Sequence, residues 1–198
     1  VQLCLERKPM GLMFLGANNC NFLADFDKIQ IPTVVVTNDA SHLPFENLSS
    51  VTTDDCKGAA CAVEYLLKAG HRSIAVIGGD RSISDTSALR YRGCMEAFER
   101  CGVPFDEARM YHTGRYNYES GYTGMQEILK NTPEVTAVFA MADVIAIGAI
   151  RAACDAGKRV PEDISVIGYD GLKVGDYYCP KLSTIAQSLD RIALRSFE

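Results

Sequence analysis

The stretch TAVFAMADVIAIGAIRAACDAGKRVPEDISVIGYDG, residues 136–171, decides the fold. It opens on an unbroken apolar run at 136–141. Apolar residues then recur at helical spacing through 143–157, a segment closed by Gly157, and a second apolar run follows at 164–168. Apolar runs without polar alternation suit strands covered on both faces, and the helix between them is long enough for a right-handed crossover. The unit is strand, helix, parallel strand. Its second strand stops at Asp170, between Tyr169 and Gly171, so a carboxylate stands just past the strand's carboxyl end.

The same rhythm extends upstream as far as residue 55. Apolar runs at 73–79 and 108–112 alternate with helical patterns at 56–70, 87–102 and 118–131, two of which end on Gly70 and Gly102. These residues predict a doubly wound α/β layer. The first fifty residues repeat the pattern in shorter form, with strands at 11–16 and 32–38 around the weakly helical NFLADFDK, residues 21–28. Two strands do not make an independent parallel sheet. This segment is therefore expected to be the incomplete N-terminal subdomain of a two-subdomain α/β protein, with its opening strands upstream. The amphipathic run SLDRIALRSFE, 188–198, is expected to be cut within a helix. The expected division is 1–52 with 187–198, and 53–186, the chain crossing at the polar stretch SSVTTDD, 49–55.

With 198 residues, 47% of them apolar, the chain can bury a real core. Asp143 interrupts the longest apolar stretches well short of the ~20 residues of a membrane span. The first ten residues, VQLCLERKPM, carry charge where a secretory signal is apolar. A net charge of −5 argues against a phosphate-reading surface, so these residues are not expected to bind nucleic acid themselves. The eight cysteines (4, 20, 56, 61, 94, 101, 154, 179) form no CxxC pair and no metal spacing, and are expected to be buried free thiols in a reducing cytoplasm. His42, His71 and His112 stand in no nucleophile motif, and Gly78 and Gly79 make no phosphate loop. No catalytic residue, metal or cofactor is expected.

Ligands of open parallel sheets bind beyond the carboxyl ends of the strands. The residues there are Asp170; Ala142 and Asp143 after the run at 136–140; Arg115 and Tyr116 after 108–112; and the loop GGDRSISDTS after 73–78, followed by Arg90 on the next helix. Carboxylates, a guanidinium and a phenol can clamp a small hydroxylated or planar molecule. Each also has a plainer role. Asp170 suits a turn or helix cap near Leu172, Asp143 a helix N-terminus, and Tyr116 half-buried packing. Arg90 suits a solvated ion pair near Arg92 and Glu96, and His71 the turn after a helix.

Five segments in unbroken order carry a resemblance: SVTTDDCKGAACAVEYLLKAGHRSIAVIGG, ALRYRGCMEAF, GRYNYESGYTGMQEIL, the stretch quoted above, and PKLSTIAQ. Together they resemble the effector-binding core of the lactose-repressor (LacI/GalR) family of bacterial transcription regulators, which has a periplasmic-binding-protein-like fold. The resemblance implies that Arg90, in an Arg-x-x-Gly pattern with Gly93, holds effector hydroxyls or a carboxylate, that Asp170 accepts hydrogen bonds from the effector, and that Tyr116 stands against its ring. Thr86 would face the same cleft, Asp54 would end the first crossover, and Thr37 and Asn38 would come from the other wall. Asp143 matches an Asp of an Asn-Asp pair in which Ala142 replaces the usual Asn. Also implied are a sugar, sugar-acid or nucleobase effector, operator DNA bound only through an absent N-terminal helix-turn-helix, a cytoplasmic homodimer and no membrane. A periplasmic sugar-binding protein of an ABC transporter is the nearest alternative, and the thiol count argues against it. An α/β enzyme built on Asp143 and Asp170 is more distant, for want of a nucleophile, metal cluster or cofactor loop. Arg90→Ala is expected to weaken effector binding by more than ~1.5 kcal/mol and to leave the fold intact, and Asp170→Asn to cause a similar loss.

Overall fold

The computed structural model describes residues 2–16, 22 and 25–198. Two compact units make up the chain: Val1–Asp54 with Ser188–Glu198, and Asp55–Gln187. In the first unit helix α1 (Gln2–Arg7) precedes three strands, β1 (Leu12–Leu15), β2 (Thr33–Val36) and β3 (Leu48–Val51). They pair in parallel in the order β1-β2-β3. Part of NFLADFDK lies outside the described residues; within the rest a single 3-10 turn, Phe26–Lys28, replaces the weak helix. Phe14, Phe22, Phe26 and Phe45 meet edge-on or tilted and close one side of this sheet around Val35.

The second unit runs α2 (Asp55–Lys68), β4 (Ile74–Gly79), α3 (Asp85–Arg100), α4 (Glu107–Met110), β5 (Tyr111–Gly114), α5 (Tyr118–Asn131), β6 (Ala137–Ala140), α6 (Asp143–Asp155), β7 (Ser165–Asp170), α7 (Val174–Tyr177) and β8 (Ser183–Ala186). The sheet order is β5-β4-β6-β7-β8, and every pairing is parallel. Strand side chains alternate between faces, which explains the continuous apolar runs. Ile74, Val76, Phe139, Ile167 and Tyr169 pack under α2 and α3, while Ala75, Ile77, Val138, Ala140 and Val166 pack under α5 and α6. Both faces are covered, so this unit is doubly wound. Helix α8 (Leu189–Ser196) returns to the first unit and packs on β2 and β3. Among the described residues no helix is long and apolar enough to cross a membrane.

Two expectations are corrected, and one segment that carried no secondary-structure expectation proves to be a strand. The run at 108–112 is not one strand: Glu107–Met110 form a helical turn and β5 begins at Tyr111. Ala, Arg and Met are good helix formers, whereas β-favouring residues start only at Tyr111. The PKLSTIAQ segment supplies β8, an edge strand too short and too exposed to show a period. The thiols are mostly not core residues. Cys94 alone of the six described is buried; Cys56 is half-buried, and Cys61, Cys101, Cys154 and Cys179 are exposed. Cys61 and Cys154 fall on the solvent faces of α2 and α6, a distinction that local apolar composition does not make. The side chains of Cys4 and Cys20 lie outside the described residues.

Candidate functional site

Tyr169 supports the cluster that β7 builds. Its ring points into the layer between the sheet and α2, against Gly58, where a Cβ would overlap the Tyr169 hydroxyl. The Arg90 guanidinium lies 3.7 Å above the centroid of that ring. Nε of Arg90 donates to Oδ1 of Asp55 at 2.8 Å, and Nη1 donates to the Met141 carbonyl at the end of β6. Nη2 stands 3.7 Å from Oδ1 of Asp170. Arg90 is only 4% exposed and Asp55 3%, so Arg90 is no solvated ion-pair residue. The same burial argues against the expectation that Arg90→Ala leaves the fold intact, because the substitution leaves a buried carboxylate without its cation.

Asp170 closes β7 at φ 116°, a conformation that costs a non-glycine residue about 1–3 kcal/mol. Its side chain is 27% exposed, and Oδ1 accepts from Nε2 of Gln187 at 2.7 Å. Burial pushes the Asp170 carboxyl above its ordinary 3.8, against the opposing pull of Arg90 and Gln187. Asp143 does something different. It is fully buried, and its carboxylate accepts from the Leu172 N–H and the Thr184 hydroxyl, each at 2.6 Å. It thereby ties the turn after Asp170 to β8. Gly168 lacks a side chain where this carboxylate fills the space. Burial raises the Asp143 carboxyl as well. Ala142, at the N-cap position of α6, is buried and makes no side-chain capping bond.

Tyr116 is 39% exposed, and its hydroxyl shares a 2.9 Å hydrogen bond with that of Ser87. Thr86 is half-buried in the first turn of α3, next to Ser87, whose N–H donates to the Ser84 hydroxyl at 3.2 Å. The second unit thus brings Arg90, Asp170, Asp143, Ala142, Tyr116 and Thr86 to the carboxyl-end edge of its sheet. Asp54, Thr37 and Asn38 belong to the first unit. Asp54 is exposed. The Thr37 N–H donates to Val51 O at 2.8 Å, and its carbonyl accepts from the Thr52 hydroxyl at 3.1 Å.

Sequence reasoning passed over Asp55, Tyr169, Ser87 and Gln187. The signal for Asp55 is its place as the second acid of TTDD, the one that opens α2 and so points inward. The signal for Tyr169 is its parity with Ile167, which places both on the face under α2 and α3. A guanidinium has five N–H donors, and Asp55 and Met141 take two. Three are left without a hydrogen bond among the described residues. The 3.7 Å separation from Asp170 makes an ion pair too long for a direct hydrogen bond, so the donors of one group and the acceptors of the other stay available to a molecule placed beside them. Asp143 is saturated by structural donors and is not placed for acid–base work. Among the described residues no group of three or more His, Cys, Asp or Glu is arranged to hold a metal ion.

Residues 63–197 match the family model of the periplasmic binding protein-like domain, and the chain belongs to that family. Within it, the relatives are transcriptional regulators of the LacI type and not enzymes. The chain is 33% identical over 197 residues to the transcriptional regulator MalR of Clostridium butyricum, covering 98% of this chain and 58% of that protein. It is 37% identical over 199 residues to the transcriptional repressor PurR of Erwinia tasmaniensis, covering 100% and 57%. The solved complex of the regulator CelR with cellobiose superposes with a TM-score of 0.86 at 30% identity, over 94% of this chain and 57% of that one. A LacI-family sugar-binding regulator from Escherichia coli, complexed with phosphate, superposes with a TM-score of 0.86 at 26% identity, over 99% and 69%. The chain spans a little under three fifths of the curated relatives it matches. These matches favour the regulator reading over the transporter component.

Proposed function

We propose that this chain is the sensing domain of a LacI-type transcriptional regulator and that it binds a small effector at the carboxyl ends of β4 to β7. One observation carries the reading: a buried guanidinium with unused donors stands beside a partly exposed carboxylate 3.7 Å away, with the half-exposed Tyr116 on the same rim. In this reading Arg90 donates to the effector, Asp170 accepts from it and Tyr116 packs against its apolar face. Tyr169, Asp55 and Asp143 hold those groups in place. The candidates are a sugar, a sugar acid or a nucleobase. A saccharide is favoured because cellobiose and ribose occupy two of the related structures and because an acceptor beside a forked donor fits vicinal hydroxyls.

The effector acts by preferring one conformation of the chain, and a preference of about 1–3 kcal/mol changes the affinity of a coupled DNA-binding segment ~5 to 150-fold. The reading includes a homodimer and an upstream helix-turn-helix that contacts the operator. A thermal-shift screen of sugars, sugar acids and nucleobases tests it. A true effector at 100 times its Kd adds about 2.7 kcal/mol, and the gain should vanish in Asp170→Asn. If no compound stabilises the chain, or if the stabilisation survives that substitution, the assignment is wrong.

A further inference from the structure

Gln187 is the last residue of the second unit and touches the carboxylate at the centre of the proposed site. Its place follows from strand register. Asp170 pairs with Ala186 at the end of β7 and β8, so the next residue along stands beside the turn that Asp170 opens. The Gln187 N–H extends the ladder by donating to the Asp170 carbonyl at 3.1 Å. Gln187 also shares the parity of Ile185, which packs with the core under α2 and α3, and this is the side from which Arg90 reaches the sheet edge. Its Nε2 donates to Oδ1 of Asp170 at 2.7 Å, and Arg90 Nη2 approaches that same oxygen. Oδ2 of Asp170 makes no hydrogen bond among the described residues.

We propose that Gln187 is a positioning residue of the effector site: it fixes Oδ1 of Asp170 on the side of Arg90 and leaves Oδ2 as the oxygen that accepts from an effector hydroxyl. The torsion that turns an aspartate carboxylate is broad and nearly two-fold, so the carboxylate needs an external donor to assign its two oxygens different tasks. Arg90, at 3.7 Å, is too distant to be that donor, and Gln187 is within hydrogen-bond reach. The role rests on the reading of Asp170 as the effector's acceptor. It adds a residue that contributes to affinity through Asp170 and without a contact of its own to the effector.

Carboxyl 13C NMR of the chain labelled at aspartate, with Asp170 assigned by its absence in Asp170→Asn, tests the contact without any effector. An N–H donated to the ionised carboxylate favours that form, so Gln187→Met should raise the Asp170 titration midpoint. Gln187→Asn, which keeps the amide and is one carbon too short to reach, should raise it too. The other ionisable groups around Asp170 are Arg90 on α3, Asp55 on α2, Asp143 on α6 and Tyr116 before α5, and neither substitution alters them. Thermal shifts with cellobiose, ribose, gluconate and adenine supply the second readout: a compound that stabilises the parent should bind Gln187→Met roughly tenfold or more weakly, with an unchanged urea midpoint in its absence. An Asp170 midpoint that is unmoved or lowered in both variants would overturn the positioning role, as would undiminished binding in Gln187→Met. If none of the four compounds stabilises the parent, it is the effector reading that fails, and the carboxyl midpoint still confirms or overturns the contact.

Discussion

Removing the Arg90 guanidinium strips Asp55, a carboxylate 3% exposed at the start of α2, of the only cation paired with it among the described residues. Breaking a buried pair from one side costs about 3–5 kcal/mol, because the remaining charge has neither water nor partner. The Met141 carbonyl loses its donor and the Tyr169 ring its cation in the same step, so the upper half of that range applies. For a chain of 198 residues each kcal/mol lowers the melting temperature by about 2–4 °C, which places the Arg90→Ala shift at roughly 8–20 °C. Thermal unfolding followed by circular dichroism, without effector, measures it. Adding Asp55→Asn to Arg90→Ala removes the stranded charge and should recover at least ~1 kcal/mol, the coupling term of a double-mutant cycle. If Arg90→Ala melts within ~1 kcal/mol of the parent, or if Asp55→Asn recovers nothing, the guanidinium is not the buried counter-ion described here. The consequence for function is practical: loss of effector binding in Arg90→Ala alone conflates contact with collapse, and the more exposed Asp170 is the cleaner probe.

Other outcomes follow from the same geometry. Because burial raises the Asp170 carboxyl above 3.8, effector affinity should fall as pH drops through that raised value; Asp170→Asn should weaken binding by about 1.5 kcal/mol or more and abolish this pH dependence in titrations. Asp143 is also raised, so the stability it contributes by holding a proton is fully present below 3.8 and is lost as pH rises through the folded value; denaturant melts of Asp143→Asn should lack that decline. Asp143→Ala leaves the Leu172 N–H and the Thr184 hydroxyl without an acceptor and should cost about 2–4 kcal/mol, read by urea unfolding. Gly58→Ala drives a Cβ into the Tyr169 ring under Arg90 and should cost about 1–3 kcal/mol with weaker effector binding, whereas unchanged affinity would separate Tyr169 from the site.

Much of the second unit was legible because its elements are long and strongly periodic. The helix at 118–131 falls where the spacing put it, and the others differ by one or two residues at their ends. The failures share a cause. At 108–112 and 183–186 the segments are short and half exposed, so local preference and tertiary pairing compete on nearly equal terms. The cysteines were misjudged because an apolar neighbourhood in sequence does not say which way a helical side chain points.

By itself the sequence determined the alternation of strand and helix, the covering of both sheet faces, and the placing of Asp170 past a strand's carboxyl end, because hydrophobic periodicity is a local property that chain order preserves. Only tertiary structure decided what the polar residues do. Arg90 sits 35 positions from Asp55 and 51 from Met141, and Asp143 sits 41 from Thr184. Whether a charge is solvated, paired or left with donors for a ligand depends on neighbours brought from such distances and on the water they exclude, and neither is written in any one stretch of the chain.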